Sequence, residues 1–463
     1  MRRTKILATI GPATEDISSL RRLVESGMNI ARLNCSHGTD EQFTKIVSNI
    51  RTIEKESGKI ISILGDLQGP KIRLGKIEGG KLLVASGEQI IFSTKEGEAG
   101  TIHIPYPDLH KIVKAGEPLL IEDGLIRTKI LSVHGNHIKA RVTAGGYLKN
   151  FKGVNLPETI LPHSATLTPK DKKDLRMLLK LGADAIALSF VESADDVQRL
   201  RAEITRANRA MPMIISKIER KKALKNIKEI IEVSDAIMVA RGDLGIETKA
   251  ERVPVEQKRI IALSRKSGKP VIVATQILQS MVSNPIATRA EVSDAANAIF
   301  DHADAFMLSN ETAVGDYPYR AVGTLARIAK ITEEAIFKDK ELSPVPSNVN
   351  SMRDDETMAL NACYIAEKIK ARAIIILSKK GFTARTVLKH RPKTPVIVIT
   401  PSIHTARELN FLWGIEKIVV KDEAMKSEKA LKFLKGKGYI KSGQEVIFIK
   451  LSDEKRSLVQ MSA

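Results

Sequence analysis

From the N-terminus to about residue 335, short apolar runs alternate with amphipathic stretches eight times, and that rhythm restricts the fold more than any other feature. The runs are Lys5–Ile10, Asn29–Asn34, Ile60–Asp66, Ala185–Phe190, Met213–Glu219, Ala236–Ala240, Pro270–Thr275 and Ala305–Ser309. Most are Ile, Val, Leu and Ala throughout, as strands buried on both faces of a parallel sheet require. The stretches between them carry apolar residues at helical spacing. Ser18–Ser26 has Leu20, Leu23 and Val24; Glu41–Glu56 has Phe43, Ile46, Ile50 and Ile53. Asp196–Asn208, Lys222–Val233, Val255–Lys266, Arg289–Phe300 and Tyr319–Ile336 continue the pattern, and Gly27, Gly58, Gly182 and Gly268 stand as helix stops. Eight strand–helix units in a row predict an α/β fold of the closed TIM (β/α)8 type.

One connection breaks the rhythm. More than a hundred residues separate Asp66 from Ala185. Residues 70–167 read as short strands punctuated by Gly79-Gly80, Gly135-Asn136 and Gly145-Gly146. This is expected to be an inserted small β-barrel lid domain above the C-terminal mouth of the barrel, where active sites of such barrels lie. Residues 1–69 and 168–335 then form the catalytic barrel. SPVPSNVNS reads as a linker, and residues 336–463 as a C-terminal α/β, regulatory domain with strands at Ala373–Leu377, Pro395–Ile399 and Val446–Ile449.

Composition narrows the function classes. Two cysteines, Cys35 and Cys363, build no disulfide framework, so a reducing, cytoplasmic setting is expected. MRRTKILATIGPATED is broken by Gly11 and Pro12, so neither a signal peptide nor a membrane span is expected there. The formal charge of +20, from 74 basic and 54 acidic side chains, would suit a polyanion binder. The basic residues are instead spread along helices and mixed with Glu, and aromatics are only 4%, against a base-stacking surface. A solvated basic surface around anionic small ligands is the better reading; neither nucleic acid nor membrane is expected as a partner.

Candidate chemistry gathers at strand ends. Arg32-Leu33-Asn34-Cys35-Ser36-His37 closes the second run, and strand alternation puts Arg32, Asn34 and Ser36 on one side. A guanidinium with two neutral oxygens suits a phosphate and a cation. Lys217 and Glu219 share a face at the end of the fifth run, where an ammonium can meet developing negative charge. A structural ion pair reads equally from that triplet alone. Asp243, in Arg241-Gly242-Asp243, lies 24 residues after Glu219, one strand–helix–strand repeat later. Two neighbouring carboxylates with open positions suit Mg2+ or Mn2+, and Gly242 lets the backbone approach an anion. Thr275 ends the seventh run, and Asp66, Lys71 and Arg73 surround the hinge into the insertion.

These stretches, in order, resemble the pyruvate kinase family: RRTKILATIGPAT, NIARLNCSHG, GDLQGPKIR, KGVNLP, LSFV, IISKIE, VARGDLGIE, VIVATQ, NPIATRAEVSDAANAI and MLSNETAVGDYP. The resemblance implies transfer of a phosphoryl group from phosphoenolpyruvate to ADP, giving pyruvate and ATP. It implies Lys217, Arg32 and Thr275 as catalytic residues, with Gly242 and Asp243 also binding substrate. Glu219 and Asp243 would hold Mg2+ or Mn2+, and Asn34, His37, Arg73 and Lys152 would lie along the nucleotide phosphates. Ser309 and Glu311 would support a proton relay from the eighth strand. A homotetramer is implied as well; Arg289–Ala298 reads equally as a subunit contact or as packing within the barrel.

Three departures bear on regulation and cations. Members that require K+ hold it at positions matching Asn34, Ser36, Asp66 and the carbonyl of Leu67, and carry Thr, Lys and Glu where this chain has Leu67, Gln68 and Lys71. The Leu-Gln-Lys pattern resembles the K+-independent branch, with the Lys71 ammonium supplying the charge K+ would bring. The C-terminal FIKLSDEKRSLVQMSA lacks the Gly-rich loop of fructose-bisphosphate-activated members. Ser378-Lys379-Lys380-Gly381-Phe382-Thr383 still resembles a phosphate cradle opening a helix, so a monophosphate effector (a sugar phosphate or AMP), or none, is expected. Glu192 stands where the family often has a basic residue.

Overall fold

The computed structural model describes residues 2–159, 167–339, 352–421, 426–451 and 456–463. The linker expected at SPVPSNVNS lies outside these residues. Eight parallel strands close into a cylinder: Lys5–Thr9, Ile30–Asn34, Ser62–Asp66, Ala185–Leu188, Met213–Ile218, Ala236–Ala240, Val271–Ala274 and Ala305–Leu308. Each pairs with its sequence neighbours, and the first closes on the eighth through Lys5↔Ala305 to Ala8↔Leu308.

Alternation along each strand sorts the side chains into two cores. Leu7, Ile30, Leu64, Met213, Ile215, Met238, Ile272 and Met307 fill the cylinder, with alanines at 185, 187, 236, 274 and 305. Ile6, Ala8, Ala31, Leu33, Ile63, Ile186 and Ile214 face outward against the helices. One residue of the inner core comes from elsewhere: Phe411, fully buried, enters from the C-terminal region and closes the floor of the cylinder. Beside it Asn410 donates to the carbonyls of Asn29 (2.9 Å) and Ile60 (3.1 Å), at the starts of the second and third strands. Arg391 pairs with Asp304 at 3.0 Å, so the contact between barrel and C-terminal region is polar around an apolar plug.

The insertion after the third strand holds a six-stranded sheet, in the order Val154–Asn155, Pro118–Ile121, Ile126–His134, His137–Ala144, Gln89–Ser93 and Ile102–His103. A ribbon of Lys81–Val84 with Gly146–Lys149 shares one core with it, built on Leu74, Phe92, Leu119, Ile130, Ile138 and Leu148. A single carboxylate fastens both passages into this lid. Asp171, fully buried, accepts from the backbone N–H of Gly69 (3.0 Å) on the outgoing chain and of Thr168 (3.0 Å) on the returning one. The Thr168 hydroxyl joins in at 2.6 Å and caps the helix Pro169–Lys180. That is a capping box with Pro at the first helical position.

The C-terminal region carries a five-stranded sheet ordered Ile415–Val420, Val396–Thr400, Ala373–Leu377, Glu445–Leu451 and Arg456–Ser462. The first four are parallel and the last is antiparallel. Among the described residues, no helix is long and apolar enough to cross a membrane.

Candidate active site

A cleft of about 570 Å³ opens at the C-terminal mouth of the barrel, roofed on one side by the lid hinge. Strand ends place the cleft's polar floor. Arg32 leaves the second strand beside Asp66 at the end of the third; its Nε donates to Asp66 Oδ2 at 2.7 Å and its Nη1 to Thr9 Oγ1 at 2.9 Å. Lys217, from the fifth strand, puts its Nζ 3.2 Å from Asp66 Oδ1, 3.0 Å from Glu219 Oε1 and 2.7 Å from Ser189 Oγ. The result is a buried row of alternating charge: Arg32, Asp66, Lys217, Glu219.

That order sets the protonation states. Burial alone would raise the Asp66 carboxyl, but Lys217 and Arg32 outweigh it and hold it below the usual carboxylate range. Burial would likewise lower Lys217, and Asp66 and Glu219 outweigh that, keeping it a firm cation. Glu219 goes the other way. Burial raises it, Lys217 opposes, and the like charge of Asp243 adds to the rise. A carboxylate pushed up by burial and by a neighbouring carboxylate is one that a divalent cation would relieve. Glu219 Oε2 is steadied by the Phe190 N–H at 2.7 Å, and Asp243 lines the cleft from the first turn of the helix Arg241–Glu247. Two carboxylates with open positions fit a hard, oxygen-seeking ion.

The seventh strand ends in strained backbone. Thr275 and Gln276 have φ of 69° and 52°, in the left-handed region that a β-branched residue strongly resists. Arg241 holds the segment there, donating to the carbonyls of Thr275 (2.9 Å) and Gln276 (3.0 Å) while pairing with Asp294 at 2.6 Å. Thr275 Oγ1 in turn accepts from the Gly242 N–H at 2.8 Å. The hydroxyl and the backbone donor expected to meet a substrate carboxylate therefore sit side by side.

Asn34, Ser36, His37, Leu67, Gln68, Lys71, Arg73 and Ser309 also line the cleft. His37 is lowered from its usual value by burial and then by Arg73, Lys71, Arg32 and Lys170, so this wall carries a positive field around a neutral imidazole. Three of the oxygens expected at a monovalent-cation site are engaged internally: Asn34 Oδ1 accepts from Ser36 N (3.2 Å), Asp66 binds Arg32 and Lys217, and Leu67 O accepts from Ser189 Oγ (2.7 Å). Glu311 is fully buried and spends both oxygens on the backbone N–H groups of Leu278 (3.1 Å) and Ser309 (2.7 Å), tying the seventh and eighth strand ends together.

Lys152 is not brought to the cleft. It lies in the lid and pairs with Glu122 at 2.8 Å. At the C-terminal loop, Gly381 (φ 79°) precedes the helix Phe382–Leu388 and Lys379 and Lys380 are exposed. The Thr383 hydroxyl donates to Leu451 O at 3.0 Å, and Ser378 is buried. No local pattern marks Arg241 or Ser189 as part of the site, whereas Thr168-Pro169 with Asp171 carries a readable helix-start signal.

Comparison with known proteins agrees with this layout. Residues 1–322 match the family described as pyruvate kinase, barrel domain, and residues 356–457 match pyruvate kinase, alpha/beta domain. A pyruvate kinase of Methylorubrum extorquens is 39% identical over 97% of this chain and 94% of its own. One from Agrobacterium vitis is 44% identical over 90% of this chain and 88% of its own. The crystal structure of a pyruvate kinase from Cryptosporidium parvum superposes with a TM-score of 0.90 at 34% identity, covering 100% of this chain and 96% of that one. With both domains matched and relatives aligned end to end, the chain belongs to the pyruvate kinase family, phosphotransferases that convert phosphoenolpyruvate and ADP to pyruvate and ATP.

Proposed function

We propose that the row Arg32–Asp66–Lys217–Glu219 performs the phosphoryl transfer, the observation carrying this being the Lys217 ammonium fixed 3.2 Å from Asp66 and 3.0 Å from Glu219. Arg32 would grip the transferring phosphoryl group. Lys217 would face the bridging oxygen of phosphoenolpyruvate, where negative charge grows as the P–O bond breaks. Gly242 N–H and the Thr275 hydroxyl, which bond to each other and to Ala274 O without substrate, would turn to place the substrate carboxylate. Asn34, His37 and Arg73 would lie along the ADP phosphates, with Lys152 joining only if lid closure releases it from Glu122. A terminal oxygen of ADP attacks phosphorus in line; the departing enolate takes a proton at carbon, by a route past Thr275 with Ser309 nearby, and becomes pyruvate. Closure of the lid would exclude water as a rival acceptor.

Glu219 and Asp243 would hold the divalent ion; Mg2+ or Mn2+, when bound, supplies positive charge against the phosphoryl oxygens. Glu219→Gln and Asp243→Asn are expected to raise the Mg2+ concentration for half-maximal rate by about tenfold or more. Parental metal dependence in both folded variants would remove them from the metal site.

The same reading extends to regulation and setting. For the Ser378–Thr383 loop we keep a phosphomonoester ahead of fructose bisphosphate, with the exposed Lys379 and Lys380 as its cations, because Ser378 is buried and the Thr383 hydroxyl is spent on Leu451. Fructose bisphosphate is expected to leave half-saturation by phosphoenolpyruvate unchanged; a sharp fall would sink this view. A cytoplasmic homotetramer is the assembly the family resemblance supports, and both cysteines are buried, as a reducing compartment permits.

A further inference from the structure

The turn that ends the fifth strand carries Glu219 and, next to it, Arg220. Arg220 is only 6% exposed, and its guanidinium reaches three other elements. Nε stands 3.3 Å from Glu192 Oε1 and 3.3 Å from Glu247 Oε2. Nη2 donates to the carbonyl of Thr159 at 2.9 Å and, more weakly, to that of Leu156 at 3.5 Å. Glu192 follows the fourth strand. Glu247 ends the short helix whose first turn holds Asp243. Leu156 and Thr159 belong to the lid's returning chain, and the Thr159 hydroxyl is itself anchored inside the lid on Glu117 at 2.7 Å.

The charges make this junction demanding. Lys222 shares Glu192, at 3.1 Å. Glu247 is 3% exposed, and among the described residues neither of its oxygens has a hydrogen-bond partner. The Arg220 ion pair is what faces it. A buried carboxylate held by one cation leaves its helix free to shift when that cation goes. Only a planar fork can meet two carboxylates and two carbonyls from one position; a lysine ammonium is a compact point charge.

We propose that Arg220 is a positioning residue that joins the metal-binding carboxylates to the lid. It fixes the Glu219 turn against the Asp243 helix, and it latches the returning lid chain to the same assembly. The proposal rests on the reading of Glu219 and Asp243 as metal ligands. Coupling of this kind is reciprocal: what tightens the metal site also tightens the latch.

The test uses the full-length enzyme without substrates. Mn2+ binding is followed by the resonance signal of the free ion, and amide exchange at residues 154–159 is followed with and without Mn2+. In the parent, Mn2+ is expected to slow that exchange. Arg220→Met should weaken Mn2+ binding about tenfold, the low end of what losing groups that orient metal ligands costs, because the turn of Glu219 and the helix of Asp243 lose their common anchor, and it should abolish the effect of Mn2+ on exchange. Arg220→Lys should restore Mn2+ binding to within about threefold of the parent without restoring the coupling, because one ammonium cannot serve carboxylates and carbonyls together. Glu247→Gln should weaken Mn2+ binding while metal-free exchange stays parental. Parental behaviour of Arg220→Met overturns the proposal, as does full recovery of coupling by Arg220→Lys, which would reduce Arg220 to a charge. If Arg220→Met does not fold, the other two variants decide. Failure of the metal-site reading is separate, since it shows as undiminished Mn2+ binding by Glu219→Gln.

Discussion

Replacing Lys217 with Met is expected to lower kcat by about a thousandfold, the upper range for loss of one preorganised charge at a reacting centre. The cause is local. Lys217 is the cation between two buried carboxylates, 3.2 Å from Asp66 and 3.0 Å from Glu219, and it is held charged by both. Met keeps much of the volume and none of the charge, so the oxygen leaving phosphorus would meet no cation from the protein at the bridging position. The enolate loses the same stabilisation, so exchange of pyruvate methyl protons with D2O should fall too, although no phosphoryl group moves in that reaction. Measuring both separates a charge effect from misplacement of ADP, which would slow transfer and spare exchange. A variant that melts like the parent and keeps kcat within about threefold would take Lys217 out of the chemistry.

The second large effect concerns a charge at the hinge. The parent enzyme is expected to turn over equally with and without K+, and Lys71→Glu to become dependent on it. We infer this from the placement of Lys71 on the cleft wall and from its part in the positive field that lowers His37. Reversing that charge replaces an attraction for phosphates by a repulsion and adds a carboxylate to the cleft that holds Asp66. With two charge units changed close to the ligand, a drop of about a hundredfold without K+ is reasonable at an effective dielectric near 20. K+ at about 0.1 M should recover much of it, where Na+ or a larger organic cation should not. A Lys71→Glu enzyme indifferent to K+, or a parent active only with K+, would end the idea of an internal cation.

Barrel strands and the strand-end residues were legible because each rests on a local pattern. Runs such as Ala236–Ala240 are apolar on both faces, and alternation alone places Arg32 opposite Leu33, or Lys217 with Glu219. Local patterns also misled. Nothing in the run Lys170-Asp171-Lys172-Lys173 marks a buried residue, yet Asp171 is fully buried and fastens the lid passages. Lys222–Val233 reads as one helix but divides at Asn226, whose side chain turns to the carbonyl of Glu192 at 2.9 Å. The residue Glu192 had no account in sequence, because its partner Arg220 is distant along the chain and the pair forms only once neighbouring barrel strands meet. Lys152 shows the limit most plainly: a motif gives its identity, but strand register within the lid decides that it meets Glu122.

The plug formed by Phe411 also has a consequence for biogenesis. The inner wall of the cylinder is complete in sequence at Leu308, but its base stays unsealed until residue 411 has been translated and has found its place. At about 5–20 residues per second, that leaves a ribosome-borne barrel with an apolar opening for roughly five to twenty seconds. The core of the domain that makes the active site is thus finished by a residue of the domain that follows it.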